Sequence, residues 1–234
     1  AVSMRGRLSL APRIQRLDDA LDDAAALETW SVVAGGAGEI FLGTGPDGVV
    51  FRADGNGRGK EFFRTGETMV TALLRRSNGE LLAATSPGGR VYRIDPTGSG
   101  AVWAETGERY VWALAESAGG NVYAATGDRG RVLRLRSDGS VETHFDSDEP
   151  HVVSLLHDRD GNLIAGGGGI GRVYAIDPDG NGMVLYDDEL DEARAIVREG
   201  DNWTVALVGA PPPLVEQPRL RLSLPDGVNV ERDV

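Results

Sequence analysis

Apolar and polar positions alternate along this chain in short runs, and the whole pattern recurs every 41 residues. Four consecutive units align without an insertion or a deletion: 29–69, 70–110, 111–151 and 152–192. Within each unit the strands can be read from this alternation and from the glycine-containing turns that bound the runs. The pattern therefore predicts an all-β protein built from one repeated unit.

Four strands, called A to D here, are predicted in each unit. Strand A is the apolar run "VTALL", "VWALA" or "VVSLL", and strand B ("ELLAAT", "NVYAAT", "NLIAGG") ends in small side chains. Strand C ("RVYRID", "RVLRLR", "RVYAID") alternates with a period of two, whereas strand D is irregular, as expected of an outermost strand. Because small side chains let neighbouring sheets approach closely, strand B is expected near a central axis.

Glycine marks the predicted turns. The chain has 33 glycines, and three columns of the repeat contain one in every unit. The columns are Gly38, Gly79, Gly120 and Gly161; Gly48, Gly89, Gly130 and Gly171; and Gly57, Gly98, Gly139 and Gly180. A period of about 40 residues with three turn signals corresponds to the four-stranded blade of a β-propeller.

Five blades are the favoured count, because a fifth unit begins at Ala193 and supplies strands A and B before the chain becomes proline-rich. The N-terminal runs "GRLSLAP" (6–12) and "IQRLDD" (14–19) have the pattern of strands C and D, and we expect them to complete that blade and remove its free edges. A rival closure uses "RLRLSLPDG" (219–227), and a ring with blades outside this chain is a further alternative. The expected division is 1–209 for the propeller, with closing strands in 1–28 and a half-blade in 193–209, and 210–234 for a proline-rich spacer and β-hairpin.

Charge and composition narrow the possible partners. A net charge of -12 repels nucleic-acid phosphates and anionic lipid, and it favours cationic groups on a partner. No apolar run approaches about 18 residues, so membrane insertion is not expected. Without cysteine the chain has no disulfide framework, no thiolate metal site and no thiol nucleophile. A soluble protein is predicted, with a secreted or periplasmic location favoured and the oligomeric state open.

The repeat itself resembles those of a known group of propellers. The string "DRDGNLIAGGGGIGRVYAIDPDG" (158–180), with its echoes "SNGELLAATSPGGRVYRIDPTG" and "SAGGNVYAATGDRGRVLRLRSDG", resembles the repeats of two-component-regulator sensor propellers and related NHL-like propellers. The resemblance covers about residues 29–209. It implies a fold and no particular site or cofactor, since such repeats describe turns and core positions.

Candidate functional residues lie in the loops that lead into strand A and from strand B to strand C, because these loops surround one mouth of the predicted axis. The residues singled out for ligand binding are Glu67, Arg109, Tyr110, Trp112, Asp128, Glu149, His151 and Arg194. Tyr110, Trp112 and His151 interrupt the repeat next to the axis, which is how a symmetric scaffold acquires one asymmetric site. The alternative is a solvated loop position for each charged residue, and a place in the core between blades for Trp112.

Catalytic and metal-binding motifs are weak in this sequence. "DPDGNG" (177–182) and "DRDGN" (158–162) resemble the start of a calcium loop but lack its distant glutamate, so hairpin turns are predicted there. Only one of the three histidines, His151, is expected at the mouth. We therefore predict a non-catalytic scaffold, without a cofactor or metal, that binds a protein segment or a small ligand at the mouth or on a blade surface. The alternative is a hydrolase or lyase that uses a metal or His151.

Overall fold

A computed structural model describes residues 28–55, 58–187, 190–200 and 202–209, and these residues form eighteen β-strands and no helix. Blade 1 consists of β1 (Glu28–Ala34), β2 (Ile40–Gly45), β3 (Val49–Ala53) and β4 (Gly59–Arg64); blade 2 of β5 (Met69–Arg75), β6 (Leu81–Ser86), β7 (Arg90–Ile94) and β8 (Gly100–Glu105). Blade 3 consists of β9 (Val111–Glu116), β10 (Val122–Thr126), β11 (Arg131–Leu135) and β12 (Val141–Asp146); blade 4 of β13 (His151–His157), β14 (Leu163–Gly168), β15 (Val173–Ile176) and β16 (Gly182–Tyr186). A two-stranded unit, β17 (Glu192–Glu199) and β18 (Asn202–Val208), follows. The all-β prediction is confirmed.

Each blade is an antiparallel sheet in which the four strands pair in chain order. The first strands of successive units (β1, β5, β9, β13 and β17, called the inner strands below) pack side by side, so they surround one axis. The fourth strand of each blade is outermost, as its irregular sequence predicts. One residue pair, Gly168 with Glu192, joins blade 4 to the two-stranded unit. This arrangement confirms the predicted β-propeller.

The apolar core lies between successive blades, where the facing sides of neighbouring sheets are buried against each other. Leu82 and Val91 of blade 2 pack with Leu133 of blade 3, and none of these side chains is more than 2% exposed. Blades 1 and 2, and blades 3 and 4, meet in the same way, through clusters that contain Tyr92 and Tyr174. Burying one such leucine contributes roughly 1.5–3 kcal/mol, and a single blade cannot obtain this without a neighbour.

Two of the glycine columns have different physical reasons. Gly79 turns at a φ of +89° in open space, so only its backbone conformation calls for glycine. Gly89 has a φ of +61°, and a Cβ on it would also overlap the carbonyl oxygen of Glu108, where the chain passes from blade 2 to blade 3. The second column therefore joins the loop between strands two and three to the corner that enters the next blade.

Completion of the fifth unit falls outside the residues that the structure describes. The segments expected to close it, 6–12 and 14–19, and the rival segment 219–227 all lie in residues 1–27 or 210–234. Within the described residues there are four complete blades and the β17–β18 pair.

Candidate functional site

A one-residue bulge occurs at the same repeat position in every inner strand. In β9, for example, Val111 is paired with Thr126 and Ala113 with Ala125, which leaves Trp112 between them unpaired. The same register shift isolates the equivalent residue in each inner strand: Trp30, Thr71, Trp112, Val153 and Arg194. These five positions are spaced by 41 residues. Because a bulge bends its strand and re-aims one side chain, the repeat turns one column of residues toward the axis.

All five bulge residues line one axial cavity of about 370 Å³, together with His151 and Glu192. Every inner strand therefore contributes at least one side chain to the same space. The wall combines different chemical groups. It contains two indoles, an imidazole, a valine, a threonine, one carboxylate and one guanidinium. Trp30 remains 42% exposed. This volume lies within the range of small-ligand sites, which are mostly apolar with a few placed polar groups.

Tyr110, Trp112 and His151 form an aromatic cluster on one side of this cavity. The Tyr110 and Trp112 rings are stacked, with centroids 5.0 Å apart and planes 7° from parallel. His151 meets both rings edge-on, at 6.4 Å from Tyr110 and 6.0 Å from Trp112. Such contacts stabilise rings by about 0.5–1.5 kcal/mol beyond burial, so the cluster holds its geometry before any ligand arrives.

Hydrogen bonds fix the orientation of the His151 imidazole. Its Nδ1 accepts from the Trp112 indole Nε1 at 3.3 Å and from the Asp128 backbone N at 3.4 Å. A nitrogen that accepts hydrogen bonds carries no proton, so the neutral ring carries its proton on Nε2. His151 therefore offers an N–H donor at Nε2.

Charged residues flank the aromatic cluster in two pairs. The Arg109 guanidinium lies 5.7 Å from the centre of the Tyr110 ring, and its Nε lies 3.8 Å from the Asp128 carboxylate. Arg194 and Glu192, which also line the cavity, form an ion pair at 2.9 Å. Both pairs are largely exposed, which leaves their charges free to exchange water for a ligand group.

The glutamates singled out from the sequence lie elsewhere, where they join loops. Glu149 is 3% exposed, and its carboxylate accepts the backbone N–H groups of Ile170 at 2.7 Å and Arg172 at 3.0 Å. Glu67 pairs with Arg90 at 2.6 Å. Glu108, one repeat later, is buried against two arginines. Each glutamate thus ties the corner before an inner strand to the next loop of the same blade.

Of the eight residues singled out from the sequence, Trp112, His151 and Arg194 line the axial cavity, and Tyr110, Arg109 and Asp128 support that wall. Trp30, Thr71, Val153 and Glu192 line it too and were not among the eight. The signal that could have found them is the repeat itself, since Trp30 precedes Trp112 by two periods. Among the described residues, no three histidine, aspartate or glutamate side chains are grouped to hold a metal ion.

Comparison with known proteins shows a fold and no family. No protein-family model matches the chain, and no curated protein is similar to it in sequence. Solved structures are similar, among them virginiamycin B lyase from Staphylococcus aureus, with a TM-score of 0.64 and 14% identity over 83% of this chain and 65% of that one. The crystal structure of a nidogen/laminin complex is similar with a TM-score of 0.65 and 16% identity over 76% of this chain and 72% of that chain.

A structure described as a putative gluconolactonase has a TM-score of 0.57 and 15% identity, covering 75% of this chain and 74% of that one. The chain spans 65% of the length of the virginiamycin B lyase and 58% of that of a streptogramin B lyase. The similar structures are named as lyases, as a putative gluconolactonase and as part of a protein complex, and their TM-scores are close to one another. The likeness therefore identifies the protein as a β-propeller and leaves its function to be argued from the axial cavity.

Within the described residues, no helix has the length and apolarity needed to cross a membrane.

Proposed function

We propose that this protein is a binding module without catalytic activity, and that it holds a small ligand in the axial cavity. The proposal rests on the five bulge residues of the inner strands. All five line this cavity, and two of them are tryptophan. Indoles offer broad apolar faces at a small loss of side-chain entropy. A ligand with a flat or apolar face would lie against these indoles.

Polar groups on the same wall define the rest of the ligand. His151 presents an N–H donor from Nε2, and the Glu192–Arg194 pair offers one group of each sign. A ligand that carries a hydrogen-bond acceptor and one charge at the edge of its flat face satisfies these groups. The volume of about 370 Å³ favours a small molecule over a folded protein segment.

The hydrogen bonds of His151 favour binding over catalysis. A histidine that acts as general base usually has a carboxylate on the nitrogen away from the substrate, which stabilises the imidazolium as it forms. Here both bonds to Nδ1 come from neutral donors, the Trp112 indole and a backbone N–H. Because Nδ1 accepts from these two neutral donors, the arrangement supports a hydrogen-bonding role for His151 in ligand binding.

A fragment screen by crystallography tests the proposal, with a library of small aromatic carboxylates and amines as probes. We expect bound fragments against Trp112, and we expect Trp112→Thr to abolish them, since threonine is the residue that β5 carries at the same repeat position. The matched control is Trp103→Thr on the outer strand of blade 2, which leaves the cavity intact. Fragments that bind equally well to Trp112→Thr would contradict the proposal.

Turnover assays test the alternative of an enzyme. Proteins of similar fold bear the names of a streptogramin B lyase, of a catalytically inactive virginiamycin B lyase crystallised with quinupristin, and of a putative gluconolactonase. Incubation with the protein should consume quinupristin and gluconolactone no faster than buffer alone, in which the lactone already hydrolyses by itself. If the protein converts either probe and His151→Gln loses that activity, the protein is an enzyme and the proposal of a binding module is wrong.

A further inference from the structure

The outer strands carry a second set of bulges. In β8, Val91 is paired with Ala104 and Tyr92 with Val102, which leaves Trp103 unpaired. The same shift occurs in the outer strand of all four blades, at residues spaced by 41: Phe62, Trp103, His144 and Leu185. A bulge leaves a backbone carbonyl and a re-aimed side chain at the outside of each blade.

In the first three blades this bulge is covered by the next blade. The turn between the third and fourth strands of the following blade lies on it, so that Gly139 faces the Trp103 carbonyl and the Trp103 indole donates to the Ser137 carbonyl at 3.3 Å. Gly98 lies on Phe62 and Gly180 on His144 in the same manner.

Only glycine fits at the centre of these turns. The φ angles of Gly98, Gly139 and Gly180 are +90°, +85° and +90°. A Cβ at any of the three would also approach the carbonyl oxygen of the bulge residue too closely. Any segment that covers an outer bulge in this way must therefore bring a glycine turn.

The bulge of blade 4 lacks such a cover among the described residues. Leu185 is 50% exposed, whereas its equivalents in blades 1 to 3, Phe62, Trp103 and His144, are half-buried; Met183 near it is 63% exposed. A second cavity of about 370 Å³ runs from this bulge to the last strand, β18, and it is lined by aliphatic and aromatic side chains: Ile164, Val173, Leu185, Tyr186, Trp203, Val205 and Leu207. Among the described strands, β18 pairs with β17 alone.

Two segments of the chain have the strand pattern needed here, and one of them has the turn. In 219–227, "RLRLSLPDG", leucines alternate with polar residues and are followed by Pro225, Asp226 and Gly227. That ending matches "SDG" at 137–139 and "PDG" at 178–180. In the N-terminal segment 6–19, "GRLSLAPRIQRLDD", no glycine separates the two strand-like runs.

We infer that residues 219–227 pair with the free edge of β18, that the alternating leucines fill the second cavity, and that the Pro225–Gly227 turn covers Leu185. The C-terminal segment thereby takes the place that the sequence pattern first suggested for residues 6–19. The nine residues 210–218 connect it to β18, enough for a link of up to about 30 Å. Completing this blade also holds β17, which carries Glu192 and Arg194, at the axial cavity.

Cross-linking of the full chain tests the inference, because the protein has no cysteine of its own. The test variant is Leu185→Cys with Pro225→Cys, treated with a short bismaleimide and analysed by gel and peptide mass spectrometry. Trp103→Cys with Ser137→Cys reproduces the same contact between described blades and calibrates the yield. We expect an intramolecular product at a yield within about twofold of that calibration, since the two contacts are equivalent in the repeat.

Leu185→Cys with Pro12→Cys is the competing pair. A higher yield from this pair, a product that links two molecules, or no product from the Pro225 variant would each overturn the inference. Hydrogen exchange on the unsubstituted protein guards against misfolded variants. Amides of residues 220–224 should exchange more than about tenfold more slowly than in an unfolded chain, since paired strands open less often than free ends. Exchange at the unfolded rate would also overturn the inference.

Discussion

Replacing Glu149 with alanine should destabilise the protein by about 3–5 kcal/mol. The carboxylate accepts two backbone N–H groups, from Ile170 at 2.7 Å and Arg172 at 3.0 Å, and it is only 3% exposed. Hydrogen bonds to a charged group contribute about 1.5–3 kcal/mol each. Without the carboxylate, both backbone N–H groups would lose their acceptor in a buried site. Glu149→Gln keeps one acceptor oxygen, so we expect about half of the loss.

Urea unfolding followed by circular dichroism measures this change. For a domain of about this length, 1 kcal/mol corresponds to roughly 2–4 °C in Tm, so Glu149→Ala should also melt at least about 6 °C earlier. The matched control is Glu105→Ala, whose side chain is 70% exposed and whose pairing with Arg90 lies on the surface. That change should stay within about 1 kcal/mol. A loss below about 1 kcal/mol for Glu149→Ala would refute the structural role and return Glu149 to the ligand-binding candidates.

Three further substitutions test the reasons given for a glycine turn, a buried histidine and the hydrogen bond of the Trp112 indole. Gly89→Ala should cost at least twice as much stability as Gly79→Ala, which strains φ alone at about 1–2 kcal/mol, because only at Gly89 does a Cβ meet backbone; urea unfolding compares the two. Burial lowers the pKa of His144 below its ordinary 6.5, so the unfolded chain binds its proton first and stability should fall as the pH drops below 6.5. His144→Leu should flatten that part of the stability profile. Gly127→Ala places a Cβ 2.6 Å from the Trp112 Nε1, so it should break the indole hydrogen bond and shift the indole N–H resonance.

Each of these changes has its own control. Gly119→Ala meets its nearest atoms at 3.9 Å and should leave the four indole resonances in place. Above about pH 8, where the His144 imidazole is neutral in both the folded and the unfolded chain, His144→Leu should leave the slope of the stability profile unchanged. Equal losses for the two glycine turns, a profile unchanged by His144→Leu, or an unmoved Trp112 resonance would contradict the respective explanation.

Glu67, Glu149 and Trp30 mark the limit of what could be predicted about the site. The sequence does not distinguish a glutamate that faces a pocket from one that accepts backbone N–H groups. Which role a glutamate has depends on where the next loop lies in the fold. Glu149 therefore looked like a mouth residue, although its partners come more than twenty residues later in the chain. Trp30 was missed for the opposite reason, because it stands at the start of the first unit, outside the loops that the pattern pointed to.

The sequence alone determined the repeat, and with it the strands, the turns and the propeller. A four-stranded unit of constant length has two apolar faces, and these can be buried only against copies of itself, so 41-residue spacing is enough to specify the blades. Only the tertiary structure decided which column faces the axis. A bulge is a shift in pairing between two strands, and no pattern within one strand records it; the register of β9 against β10 is what directs Trp112 inward.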